Sequence, residues 1–224
     1  MPHSPCRRHA QHDVVVKIDP VDAVAFDIGG VFLDWDPHHL YRQLIPDTEA
    51  RERFFREICS PEWHAEQDLG RSIVESCSEL ARHHPEHSSL ISAWAERNEE
   101  MVAGVIEGSV EILRELRDRN VPCYMLTNME REAFMARRSR YAFLSDFDGC
   151  VVSSDEGVAK PDVDIFLRLL SRFGLVARRT LFVDDSVANA AAAAFLGFRV
   201  CLFTSPAQLR EVLVECQLLD VESE

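Results

Sequence analysis

Asp27 closes the apolar run VDAVAF, with Gly29 and Gly30 just beyond it; Thr127 and Asn128 end YMLTN, Lys160 stands in GVAKPD, and Asp184 and Asp185 end LFVDD. Together these residue types can do one kind of chemistry. A carboxylate can attack an electrophilic centre and hold it as a covalent intermediate. A threonine hydroxyl can donate to an oxyanion, and a lysine ammonium can stabilise the charge of nucleophile and substrate. Neighbouring carboxylates supply the hard oxygen ligands that Mg²⁺ prefers. Singly, each has an ordinary structural explanation: Asp27 or Asp184 can cap a helix, Thr127 can end a strand, and Lys160 can precede a proline turn on the surface. Four such signals at the ends of four successive sheet elements point instead to one shared site.

The elements that must position them are legible in the apolar pattern, which alternates between the periods of strand and helix. VDAVAF, VPCYMLT, GCVVSS, TLFVD and RVCLF read as five short strands joined through helices. In DVDIFLRLLSRFG one face collects Ile165, Phe166, Leu169, Leu170 and Phe173 and the helix ends at Gly174, while VANAAAAAFLG ends at Gly197. Such an order implies an α/β fold, a Rossmann-like parallel sheet with helices on both faces and ligands at the C-terminal strand ends. Between Leu40 and Glu107 no strand is expected; helices are predicted near Thr48–Ile58, Ile73–His83 and Leu90–Val102, the second opened by the capping box Ser72-x-x-Glu75. The predicted organisation is a tail over residues 1–20, a core of 21–36 and 108–224, and a small all-helical insertion, 37–107, after the first strand, where it can cover the sheet edge as a lid.

Charge narrows the partners. A net charge of −14 argues against nucleic acid and anionic membranes, so an anionic substrate has to be attracted by a local feature, a metal, a lysine or a nest of N–H groups. The seven cysteines are odd in number and form no CxxC pair, which fits reduced thiols in a cytoplasmic protein. No run has the length of a membrane span, and MPHSPCRRHAQHD lacks the apolar centre of a signal peptide. Its His3, His9 and His12 have no fixed spacing that makes a metal site.

FDIGGVFLDWDP, SPEWHAEQDLGR, LTN, GVAKPD and FVDDSVANAAAA resemble the haloacid dehalogenase (HAD) superfamily from Val21 to about Leu219, and most of all its small bacterial hydrolases that include α-glucose-1-phosphate phosphatases. The resemblance implies a first-position (C1) helical cap and a Mg²⁺-dependent phosphatase acting on a small phosphorylated metabolite such as a sugar phosphate, through an aspartyl-phosphate on Asp27. It further implies catalytic roles for Thr127 and Lys160, and metal ligation by Asp27, the Gly29 carbonyl and Asp184, with Asp185 as ligand or partner of a ligand. Gly30, Asn128 and, from the lid, His64 and Asp68 are the expected substrate contacts. Two other readings stay open: a dehalogenase in which Asp27 attacks carbon, and a non-catalytic phosphate-binding protein.

One position departs from the family pattern. Most of its phosphatases carry a second Asp two residues after the nucleophile, as general acid and then base, and here that position is Gly29. Losing a positioned acid costs about 10²–10⁴-fold in rate. Either the leaving group needs little help, which predicts a steep dependence on its basicity, or another group supplies the proton: Asp34, Asp36, His64, Glu66 or Asp68. A backbone that needs positive φ would also explain the glycine.

Overall fold

The computed structural model describes residues 20–221. The five apolar runs form one parallel sheet, β1 (Ala23–Phe26), β4 (Cys123–Thr127), β5 (Gly149–Val152), β6 (Thr180–Asp184) and β7 (Arg199–Leu202), in the order β5-β4-β1-β6-β7. Alternation sorts the side chains. Val24, Phe26, Met125 and Val183 enter the core on one face, whereas Ala25, Leu126, Val151 and Phe182 enter the core on the other. On the first face pack α6 (Glu107–Asp118), α7 (Arg131–Arg140) and α11 (Pro206–Glu215), and on the second α9 (Val163–Phe173) and α10 (Val187–Phe195), with the single turn α8 (Ser153–Glu156) leaving β5. Gly174 and Gly197 both take positive φ just past their helices, as expected of C-terminal caps.

Between β1 and α6 lie five helices, α1 (Pro37–Leu44), α2 (Thr48–Glu57), α3 (Pro61–Asp68), α4 (Ile73–His83) and α5 (Ser88–Glu96). They enclose their own core of Leu40, Tyr41, Phe54, Ile91 and Trp94, and the Tyr41 hydroxyl donates to the Leu90 carbonyl at 2.8 Å. Ser72 accepts from the Glu75 N–H, as the capping box predicts.

This segment is not all helix. β2 (Leu33–Trp35) and β3 (Val102–Val105) pair antiparallel as a small ribbon at its root, where the sequence suggested no strand. The helix predicted to reach Val102 ends at Glu96, because Asn98 bonds back to the Trp94 carbonyl and a 3₁₀ turn, Asn98–Met101, follows. VAGV is short, half-exposed and holds a glycine, so its strand character comes from pairing with β2 and not from its own pattern. The stretch expected to be a tail lies outside the described residues except for Pro20. Among the described residues Cys59, Cys77, Cys123, Cys150, Cys201 and Cys216 are free thiols, and no helix is long and apolar enough to cross a membrane.

Candidate active site

Register brings the carboxylates together. Phe26 pairs with Val183 and the Asp27 N–H donates to the Val183 carbonyl at 2.9 Å, so Asp27 leaves β1 beside Asp184, the last residue of β6. Adjacent strands are only about 4.8 Å apart, and a repulsive pair is the direct consequence. Lys160 sits between them, its Nζ 2.9 Å from Asp27 Oδ1 and 2.8 Å from Asp184 Oδ2. The loop that carries it is held by Asn128, which accepts from the Lys160 N–H at 2.9 Å and donates to the Lys160 carbonyl at 2.8 Å. Asn128, expected at the substrate, thus lines the cavity while its amide fixes the lysine.

Asp184 is fully enclosed, 0% exposed. Its Oδ1 accepts from the Ser186 N–H and from Asn189, and its Oδ2 accepts from Lys160 and from Asn189. Asp185 points the other way, into the cavity, and lies against Gly30, where an added Cβ would come within 2.1 Å of Asp185 Oδ2. Gly30 has φ +71° and cannot be replaced without moving that carboxylate. Gly29 does not need its freedom: its φ is outside the left-handed region, and an added Cβ meets nothing within 4 Å. Positive φ therefore does not explain the missing acid.

Burial governs the electrostatics. The Asp27 carboxyl is pushed up to about 7, mainly by burial; Lys160 opposes this and Asp184 adds to it. Burial works against the Lys160 ammonium, but Asp27 and Asp184 outweigh it and hold the group charged. Burial and the neighbouring Asp184 also raise Asp185. One oxygen each from Asp27, Asp184 and Asp185 lies within 4.8 Å of the others. Three carboxylates facing one ammonium leave negative charge uncompensated, and their all-oxygen donor set fits a hard divalent cation such as Mg²⁺.

A cavity of about 310 Å³ opens over this edge, bounded by Asp27, Gly29, Gly30, Lys160 and Asp185 below and by His64, Gln67 and Asp68 of the helical segment above. Thr127 is buried at the end of β4, next to Asn128, and does not border the cavity itself. His64 stacks on Trp35 at 5.3 Å, and burial, aided by Arg137, pulls its imidazole down to about 4, so it is neutral at pH 7. Asp68 faces the same space, its carboxyl pushed up to about 7 by burial and by Asp27, against Lys160 and Arg137.

A family model for hydrolases, the haloacid dehalogenase-like hydrolases, matches residues 21–197. The chain belongs to this family. It is 29% identical over 181 residues to a sesquiterpene phosphatase, astK, of Aspergillus oryzae, covering 78% of this chain and 86% of that protein. The magnesium complex of the HAD-family enzyme bt-2542 from Bacteroides thetaiotaomicron superposes with a TM-score of 0.66 at 18% identity, over 84% of this chain and 95% of that one. The L-2-haloacid dehalogenase of Xanthobacter autotrophicus, with chloropropionic acid covalently bound, gives 0.60 at 17% identity, over 89% and 84%. At such identities the two structures establish a shared fold.

The cavity of this HAD-like hydrolase is also lined by residues that the sequence did not single out. Arg137, buried on α7, lines the cavity and donates to Asn98 at 2.9 Å across to the helical segment. In REAFMARRSR it is one arginine among several, and only packing distinguishes it. Leu33, Trp35, Ile73, Met129 and Ala133 form an apolar wall. Asn189, the one polar residue among the alanines of α10, was the readable signal that Asp184 has a partner.

Proposed function

We propose that this HAD-like hydrolase is a Mg²⁺-dependent phosphomonoesterase that forms an aspartyl-phosphate on Asp27. The carrying observation is the Lys160 ammonium clasped between Asp27 and Asp184 beside Asp185. Both hydrogen bonds that Asp27 receives from the described residues, from Ile28 N–H and Lys160, fall on Oδ1, which leaves Oδ2 to attack phosphorus. Lys160 stabilises the charge of the nucleophile and of the incoming phosphoryl group. Mg²⁺ would be held by Asp27, Asp185 and the Gly29 carbonyl and would supply charge neutralisation at the phosphate. A dehalogenase uses the same nucleophile on carbon, but three clustered carboxylates are better matched to a bound cation.

The helices of residues 37–107 act in this reading as the lid, and their His64 and Asp68 reach the substrate. The apolar wall favours a phosphomonoester whose carbon portion is at least partly apolar over a sugar phosphate, and the small cavity favours a compact one. A phosphate-release screen over terpenyl, aryl and sugar phosphates, with Mg²⁺ and with chelator, tests this. Release only with Mg²⁺ supports it; halide release from haloacids without phosphate release overturns it.

The saturated oxygens of Asp184 lead us to assign direct ligation to Asp185 and anchoring of Lys160 to Asp184, the reverse of the emphasis suggested by the sequence. Asp185→Asn is therefore expected to weaken Mg²⁺ binding by at least about tenfold, and more than Asp184→Asn does, in a calorimetric titration. A larger loss for Asp184→Asn would restore the first assignment.

A further inference from the structure

Of the five groups that can replace the acid absent at Gly29, the fold withdraws four. Asp34 is exposed and pairs with His39 at 3.0 Å. Asp36 caps α1, accepting from the His38 N–H at 2.8 Å; burial raises its carboxyl, but the bonds from His38 more than offset this and hold it low, hence ionised. Glu66 is exposed and paired with Arg71. His64 faces the cavity, but burial keeps its imidazole neutral at pH 7, and the N–H of a neutral imidazole is too weak an acid to protonate a leaving group.

Asp68 remains, and three contacts hold it over the strand edge. Its carbonyl accepts from Ser153 Oγ at 2.6 Å, and the same Oγ accepts from the Met129 N–H at 3.0 Å, which ties the end of α3 to the loops after β4 and β5. Gly70, with φ +104°, lies so close to the Ser154 carbonyl that a Cβ would sit 3.0 Å from it. Gln67 is buried and accepts from Trp94 Nε1 at 3.2 Å. No described residue hydrogen-bonds the Asp68 carboxylate, which faces the cavity opposite Asp27.

We propose that Asp68, delivered by the helical segment and latched to the core through Ser153, is the proton donor and acceptor that Gly29 no longer supplies. The proposal rests on the phosphatase reading. In the first step an Asp27 oxygen bonds to phosphorus, the bond from phosphorus to the leaving oxygen breaks, and the Asp68 carboxyl proton passes to that oxygen to give the alcohol. In the second, water attacks phosphorus, its proton passes to the Asp68 carboxylate, and the bond from phosphorus to Asp27 breaks. Inorganic phosphate leaves, and both side chains return to their starting forms.

Charges on every side suit this role. Burial and, after it, Asp27 from β1 favour the protonated form, while Lys160 from its loop and Arg137 from α7 favour the carboxylate left after transfer. The other acids at the cavity are committed, Glu130 to capping α7 through the Ala133 N–H and Asp185 to the carboxylate cluster. The steep leaving-group dependence expected from Gly29 alone is thereby replaced by a shallow one.

The test is a series of phosphate esters graded by leaving-group pKa, assayed with wild type, Asp68→Asn, Gly29→Asp and the double variant, with folding checked by thermal unfolding. Wild type should show a shallow slope. Asp68→Asn should lose about 10²–10⁴-fold on primary alkyl phosphates and less on aryl phosphates, so the slope steepens. Gly29→Asp, for which the loop has room, should restore a shallow slope in the double variant. An unchanged slope in Asp68→Asn overturns the proposal, as does an equal loss on all esters that Gly29→Asp does not rescue. Absence of phosphate release from every ester by wild type overturns the phosphatase reading instead.

Discussion

Asp27→Asn is expected to reduce turnover to background, a loss of at least about 10⁴-fold, because an amide cannot form the phosphoryl-enzyme and is a weaker metal ligand. The fold should survive. In chelator the variant should be at least as stable as wild type, with the largest gain above pH 7. The sign follows from the raised carboxyl: it lies near 3.8 when unperturbed and about 7 in the fold, so its ionised form is penalised by folding. That penalty is absent below about pH 3.8, grows as pH rises and is complete above 7; an uncharged amide avoids it. Thermal unfolding at pH 5 and pH 8 with turnover assays reads both effects. Retained turnover in the folded variant, or a variant less stable at pH 8 than wild type without metal, would contradict this account of the site.

Lys160→Met is expected to do the opposite to stability. Removing one partner of a buried ion cluster costs about 3–5 kcal/mol, because the charges left behind lose their compensation. Lys160 is 4% exposed and its two acidic partners lie within 2.9 Å, so little water can replace the ammonium. Without it the Asp27 carboxyl rises still further above its unfolded value, and a raised acid loses stability as pH increases. The deficit relative to wild type should therefore be larger at pH 8 than at pH 5, and added Mg²⁺ should reduce it. Turnover should fall by at least about 10³-fold even where the variant is folded. Denaturant titrations at the two pH values decide the matter; a deficit independent of pH would mean that Lys160 acts through packing of its stem.

Asp27 and Asp184, the two partners of Lys160, mark how far the sequence reaches. That Asp27 and Asp184 end buried strands follows from local pattern, since VDAVAF and TLFVD are apolar runs whose alternation holds in any sheet that covers both faces. That they lie side by side follows from parallel register between β1 and β6, which the chain order allowed but only pairing decided. The five strands, the helix at Ile73–His83 and the glycine caps were readable for the same local reason. The ribbon of β2 and β3 was not, because three or four half-exposed residues acquire strand geometry only from each other.

The site divides along the same line. Residue types alone pointed to a candidate nucleophile, an ammonium and a group of carboxylates, and the fold brings these side chains together. Which of two adjacent aspartates faces the cavity depended on Asn189 and Ser186 closing around Asp184. That Asp68 borders the same cavity as Asp27 depended on Ser153, 85 residues away in sequence, holding the end of α3. Proton affinities at Asp27, His64 and Asp68 are sums of burial and charge over elements distant along the chain, and no local window of sequence contains those sums.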